Sequence, residues 1–82
     1  DDIALGALSA LKELGVSVPE DISVTGGDNI IIGKYCIPSL TTFDNKQYEL
    51  GRNAVSCVID MFETKKAAAV VVPTQLIIRT SA

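Results

Sequence analysis

The stop Gly26-Gly27-Asp28-Asn29 constrains this chain more than any other feature. It ends the alternating stretch Ile22-Ser23-Val24-Thr25, which reads as a short strand, and residues of these types break regular structure by accepting turn conformations. Before it, Ile3, Ala7, Leu8, Leu11 and Leu14 recur at helical spacing, with Gly15 placed to close the helix. After it, Ile30 to Ile37 suits either a strand or a short helical turn, and Pro38 ends it. Leu40 to Phe43 reads as a second strand. Asp44 or Asn45 then caps a long helix running to about Phe62, with Leu50, Ala54, Val58, Met61 and Phe62 on its buried face. Residues 64–69 form a connection, and Val70 to Val72 and Leu76 to Ile78 are β-prone pieces interrupted by Pro73. Helix, strand, apolar segment, strand, helix, strand is the order of an α/β fold with a mostly parallel sheet covered by helices.

Composition narrows the function. The 82 residues carry 7 Lys and Arg against 10 Asp and Glu, a net charge of −3, and the basic residues are scattered. That offers no footprint for a nucleic-acid backbone. The longest clean apolar run, residues 67–72, is far short of the ~20 residues a membrane span needs. The chain opens on Asp1-Asp2 without an initiator Met and reads as the middle of a protein. Cys36 and Cys57 have no CxxC spacing and there is no histidine, so no metal or cofactor is expected. Two buried free thiols are the expected state, with a disulfide as the alternative. Without histidine, and without a motif around any Lys or Cys, no catalytic base or nucleophile stands out, so the chain is not expected to be an enzyme.

Ligands of open α/β sheets sit beyond the carboxyl ends of the strands. Two such ends are visible here, at Gly26-Gly27-Asp28-Asn29 and at Asp44-Asn45, and Asp1-Asp2 opens a helix. Their carboxylates and amides suit hydrogen bonding to sugar hydroxyls or to ring nitrogens of a base. The same residues are ordinary turn and cap formers, so spacing alone does not separate the two roles. Gly26-Gly27 lacks both the Walker and the dinucleotide glycine spacing.

Several blocks in fixed order resemble the effector domain of LacI/GalR-type transcription regulators. They are residues 1–8 (DDIALGAL), 15–24 (GVSVPEDISV) and 26–29 (GGDN), then Tyr35, residues 38–42 (PSLTT), 49–54 (ELGRNA) and 76–81 (LIIRTS). The resemblance implies a fragment of the two-subdomain fold of periplasmic binding proteins, in which the chain crosses three times between subdomains. Residues 1–41 would lie in the C-terminal subdomain. Residues 42–69 would form a crossover and a helix of the N-terminal subdomain, and 70–82 would return to the C-terminal one. It further implies a cytoplasmic homodimer that senses a small-molecule effector, a sugar or sugar derivative, and touches operator DNA only through a headpiece outside this chain. Asp28, Asn45 and Asp1 would lie at the ligand. Leu5, Tyr35 and Cys36 would lie at the dimer interface, with ordinary core packing as their alternative. A periplasmic sugar-binding protein of a transport system is the alternative function. Three departures stand out: Gly27 where the family commonly has Phe or Tyr, Thr25 for an aliphatic residue, and Ser39 for a second proline.

Overall fold

The computed structural model describes residues 1–67 and 69–82; Ala68, inside the expected 64–69 connection and the 67–72 apolar run, lies outside the described residues. The elements in chain order are α1 (Asp2–Glu13), α2 (Ile31–Tyr35), β1 (Thr42–Asp44), α3 (Gln47–Thr64) and β2 (Gln75–Ile77).

α1 ends as its sequence requires. Gly15 takes φ +72, its N–H donates to Lys12 O at 3.1 Å, and the Val16 N–H donates to Leu11 O at 2.9 Å. This is the Schellman closure, and it needs a residue free to adopt positive φ. The expected apolar stripe holds at Leu8 and fails at its ends. The helix buries Ala4 and Leu8 with Leu5 packed beside them, whereas Ile3 is 91% and Leu14 76% exposed. Both faces of α1 carry apolar residues, so periodicity left two stripes to choose from, and the small core around fully buried Leu40 selects the one through Ala4 and Leu8.

The ambiguous 30–37 segment resolves as the five-residue helix α2, with Gly33 buried against Leu40 and the Leu40 N–H bonded to Gly33 O at 2.7 Å. The expected strand at 22–25 contributes a single bridge, Thr25 to Thr41, which is parallel. Parallel contact continues beyond it, since the Gly26 N–H donates to Thr41 O at 2.9 Å and the Asp28 N–H to Phe43 O at 3.0 Å. Among the described residues the one regular ladder is nevertheless antiparallel: β1 pairs with β2 in the register Thr42 with Ile77, Phe43 with Leu76 and Asp44 with Gln75. The mostly parallel sheet expected from the element order is therefore not what these residues form.

The last residues are sewn into this body. Ser81, fully buried, accepts from the Thr41 N–H at 2.8 Å through Oγ and donates to Val24 O at 2.6 Å, and its own N–H reaches Ser39 O at 2.9 Å. α3 is different. It was expected to bury Leu50, Ala54, Val58, Met61 and Phe62, but none of its residues is buried, and Phe62 is 82% exposed. Its 18 residues project about 27 Å. The molecule measures 58 × 18 × 17 Å with a radius of gyration of 17.6 Å, against about 12 Å for a compact domain of this length. No helix among the described residues is long and apolar enough to cross a membrane.

Candidate functional site

The loop 26–29 and strand β1 meet side by side, and the two faces of β1 do different work. Alternation along β1 sends Thr42 and Asp44 one way and Phe43 the other, and Asn45 follows directly after the strand.

The Thr42 face is a hydrogen-bonded frame. Thr42 Oγ1 donates to Asp1 Oδ1 at 2.6 Å, and the Ile30 N–H donates to Asp1 Oδ2 at 2.8 Å. Both carboxylate oxygens of Asp1 are thus engaged, and its main-chain nitrogen donates to Gly27 O at 2.8 Å. Gly26 is required here, because a Cβ would collide with the Asp1 carboxylate and stand 2.9 Å from Leu40 Cδ2. Asn29, at φ 51, continues the frame: its Nδ2 donates to Asp44 Oδ2 at 3.4 Å and its Oδ1 accepts from Arg79 Nη2 at 2.8 Å. The other arm of the Arg79 guanidinium donates to Leu40 O at 3.0 Å.

Asp44 was one of two expected caps of the long helix. Neither it nor Asn45 fills that role. The N-cap position belongs to Lys46, in the left-handed region at φ 52, with no side-chain cap. Asp44 Oδ1 instead accepts from the Lys46 N–H at 2.8 Å, while Lys46 Nζ reaches Gln75 Oε1 on β2 at 3.1 Å. The hydrogen bond from the Lys46 N–H, aided by the Asn29 amide and the Lys46 charge and opposed by desolvation, holds the Asp44 carboxyl below its ordinary value of 3.8.

The opposite face brings Asp28 and Asn45 together. Asn45 Nδ2 donates to Asp28 Oδ1 at 2.6 Å in an exposed position, and among the described residues no hydrogen bond engages Asp28 Oδ2 or Asn45 Oδ1. Asp28 sits at φ 92, a backbone conformation uncommon outside glycine. Beside it, the Phe43 ring covers Gly27: a Cβ on Gly27 would stand 2.8 Å from Phe43 Cζ. A carboxylate and an amide locked to each other with acceptors still free can receive hydroxyl or N–H donors.

Of the residues expected at a ligand, Asp28 and Asn45 are therefore in contact, while Asp1 belongs to the same loop cluster with its carboxylate turned into the frame. Sequence reasoning did not single out Thr42, Phe43 or Arg79, whose roles depend on partners distant in the chain. Of the residues expected at a dimer interface, Leu5 is half-buried against the core. Tyr35 is 71% exposed with the Lys34 ammonium 5.7 Å from its ring centroid. Cys36 is half-buried, its Sγ 3.3 Å from Gly33 O and 3.1 Å from Pro38 O, two acceptors for its single S–H. Cys36 and Cys57 are both free thiols, and neither is fully buried as expected. A separate groove, lined by Leu8, Lys12, Val16, Val18, Ile37 and Pro38 among others, shares no residue with the polar cluster.

Comparison with known proteins places this arrangement in a family. The model of the periplasmic binding protein-like domain matches residues 1–82. The repressor CytR of Escherichia coli strain K12 is 46% identical over 63 residues, which are 77% of this chain and 18% of that protein. A LacI transcriptional regulator from Bacillus cereus subsp. cytotoxis superposes with a TM-score of 0.93 at 34% identity, over 100% of this chain and 30% of that one. A LacI family transcriptional regulator from Enterococcus faecium, solved with bound ribose, superposes at 0.87 and 34% identity, over 99% of this chain and 31% of the other. The chain thus spans about a fifth of the length of the curated relative and under a third of the solved ones. It belongs to the periplasmic-binding-protein-like domain family, among the LacI/GalR-type transcription regulators.

Proposed function

We propose that this chain is the part of a LacI-type regulator in which a small-molecule effector meets the C-terminal subdomain and the crossings between subdomains. The effector is a sugar or sugar derivative. Its differential affinity for open and closed arrangements shifts the subdomains, and through a homodimer changes operator binding by a headpiece outside this chain. The observation that carries the reading is the Asp28–Asn45 pair, exposed at the strand end beside β1. The ribose bound by the Enterococcus regulator supports a sugar as effector class.

The division of the chain follows. Residues 1–41 belong to the C-terminal subdomain, 42–69 cross and enter the N-terminal one, and 70–82 return. The antiparallel pairing of β1 with β2 supports this, since an outgoing and a returning crossing must run in opposite directions. The projection of α3 away from the core around Leu40 supports it too. In the complete fold, residues 22–25 and 40–43, which are already bridged at Thr25 and Thr41, belong to a mostly parallel sheet. Leu5, Tyr35 and Cys36 face the partner protomer, and the setting is the cytoplasm. The periplasmic transport reading is the weaker one, because the relatives are named as repressors.

The test is twofold. The coding sequence upstream of the Asp1 codon is expected to encode a helix-turn-helix in frame, and a secretion signal there instead would overturn the regulator reading. In the regulator carrying this chain, Asp28→Ala is expected to weaken sugar binding by about 1.5–3 kcal/mol, the scale of a hydrogen bond to a charged group. Unchanged affinity by calorimetry would remove Asp28 from the site.

A further inference from the structure

Resting on that reading, we infer that Phe43 is a specificity-determining residue: it supplies from strand β1 the aromatic surface that position 27 lacks, and so selects effectors with a closed sugar ring. Gly27 has no side chain, and the space a side chain would enter is filled by the Phe43 ring, with Cζ, Cε1 and Cε2 at 2.8, 3.1 and 3.4 Å from an ideal Cβ. The two positions are sterically exclusive. A bulky residue at 27 cannot coexist with Phe43 in this conformation, and a small residue at 43 would leave Gly27 bare.

The ring's placement gives this exchange its consequence. Phe43 meets Gly27 and Asn45 meets Asp28, and these two loop residues are adjacent. The Phe43 carbonyl fixes the loop by accepting from the Asp28 N–H at 3.0 Å. Leu76, directly across the β1–β2 ladder and 64% exposed, extends the apolar surface. Phe43 itself stays 43% exposed although its ring covers Gly27. One surface therefore carries an open aromatic group next to a carboxylate and amide with free acceptors. That pairing matches a molecule with an apolar C–H face and hydroxyl donors on its rim, which describes a pyranose or furanose ring. An acyclic polyol has the hydroxyls without the face; a free nucleobase has a flat face and few donors.

The experiment uses the full-length regulator carrying this chain and titration calorimetry with D-ribose, D-xylose, D-glucose and D-galactose. Ribitol and adenine are the acyclic and flat-ring controls. At least one ring sugar is expected to bind more tightly than ribitol. Phe43→Leu is expected to weaken that sugar by about two- to tenfold, the scale of an aromatic contact, and to shrink the preference over ribitol. Gly27→Phe alone is expected to lose binding, and Gly27→Phe with Phe43→Val to recover part of it by restoring one aromatic to the same space. If Phe43→Leu keeps both affinity and ring preference while Asp28→Ala loses affinity, the aromatic assignment fails and the effector site stands. If adenine binds and no sugar does, or if nothing in the panel binds, both the ring inference and the sugar reading fall.

Discussion

Replacing Arg79 by Met keeps most of the side chain's length and apolar stem while removing the guanidinium, which joins two segments remote in sequence. Its two arms donate to Leu40 O at 3.0 Å and Asn29 Oδ1 at 2.8 Å, while its backbone N–H to Thr41 Oγ1 at 2.8 Å is untouched by the change. A hydrogen bond from a charged donor contributes about 1.5–3 kcal/mol, so the pair at face value gives about 3–6. Two considerations pull that figure in opposite directions. Arg79 is half-exposed and Asn29 can be rehydrated, which lowers the loss, but Leu40 is 0% exposed and its carbonyl would be left without this donor. The net expectation is about 2–4 kcal/mol. Urea denaturation of the regulator carrying this chain reads it, as a lowered midpoint at unchanged m-value. Arg79→Lys should fall between, because a single ammonium serves one acceptor where the planar fork serves two. A loss below about 0.5 kcal/mol for Arg79→Met, the range of ordinary surface changes, would refute the view that Arg79 ties the loop to the core.

Two further outcomes follow from the same structure. Because the Asp44 carboxyl is held below 3.8 in the folded state, its contribution is fully present above that value and is lost as pH falls through the lower folded value. The stability difference between wild type and Asp44→Asn is therefore expected to be constant above pH 3.8 and to shrink below it in urea titrations, and a difference independent of pH down to acid unfolding would contradict the assignment. The 82-residue chain alone, with Val55, Val58 and Phe62 of α3 uncovered, is expected to self-associate or bind a hydrophobic dye. A dye-silent monomer in sedimentation would count against α3 needing a partner surface.

What could be read from the residues divides by range. The close of α1 at Gly15 and the span of α3 were legible because their signals are local: a glycine after a periodic run, and an apolar spacing kept over many turns. The choice of face on α1 was not, since Ile3, Ala7 and Leu14 make as good a stripe as Ala4, Leu8 and Leu11, and only Leu40 decides between them. Asp1 was legible as part of the cluster but not in its role, because its two acceptors are filled by residues 41 and 29 positions away. Asp44 and Asn45 both have cap chemistry. It took the loop at 28–29 to draw Asn45 to Asp28 and Asn29 to Asp44. The missing aromatic at Gly27 was visible in sequence. The ring that fills its space belongs to a strand whose register with the loop is a tertiary fact.

The two faces of β1 lead to a separation that can be measured. Thr42 is 1% exposed, and its hydroxyl donates to the Asp1 carboxylate at 2.6 Å; Thr42→Val keeps the shape, removes that bond and leaves Asp1 Oδ1 short of a donor. The cost is expected at about 1.5–3 kcal/mol of stability, the scale of a hydrogen bond to a charged group. Ligand affinity should change little once the protein is folded, because the Thr42 hydroxyl bonds Asp1 and the Asn29 N–H and not the Asp28 or Asn45 side chains. Asn45→Ala does the reverse. The Asn45–Asp28 bond is exposed, so stability should fall by less than about 1 kcal/mol, while Asp28 loses the donor that orients it and sugar affinity should drop several-fold. The pair of variants forms a crossed design, with stability read by urea and affinity by calorimetry. If both variants lost stability and affinity together, β1 would be acting as one unit, and the division into a frame on the Thr42 side and a ligand face on the Asn45 side would be wrong.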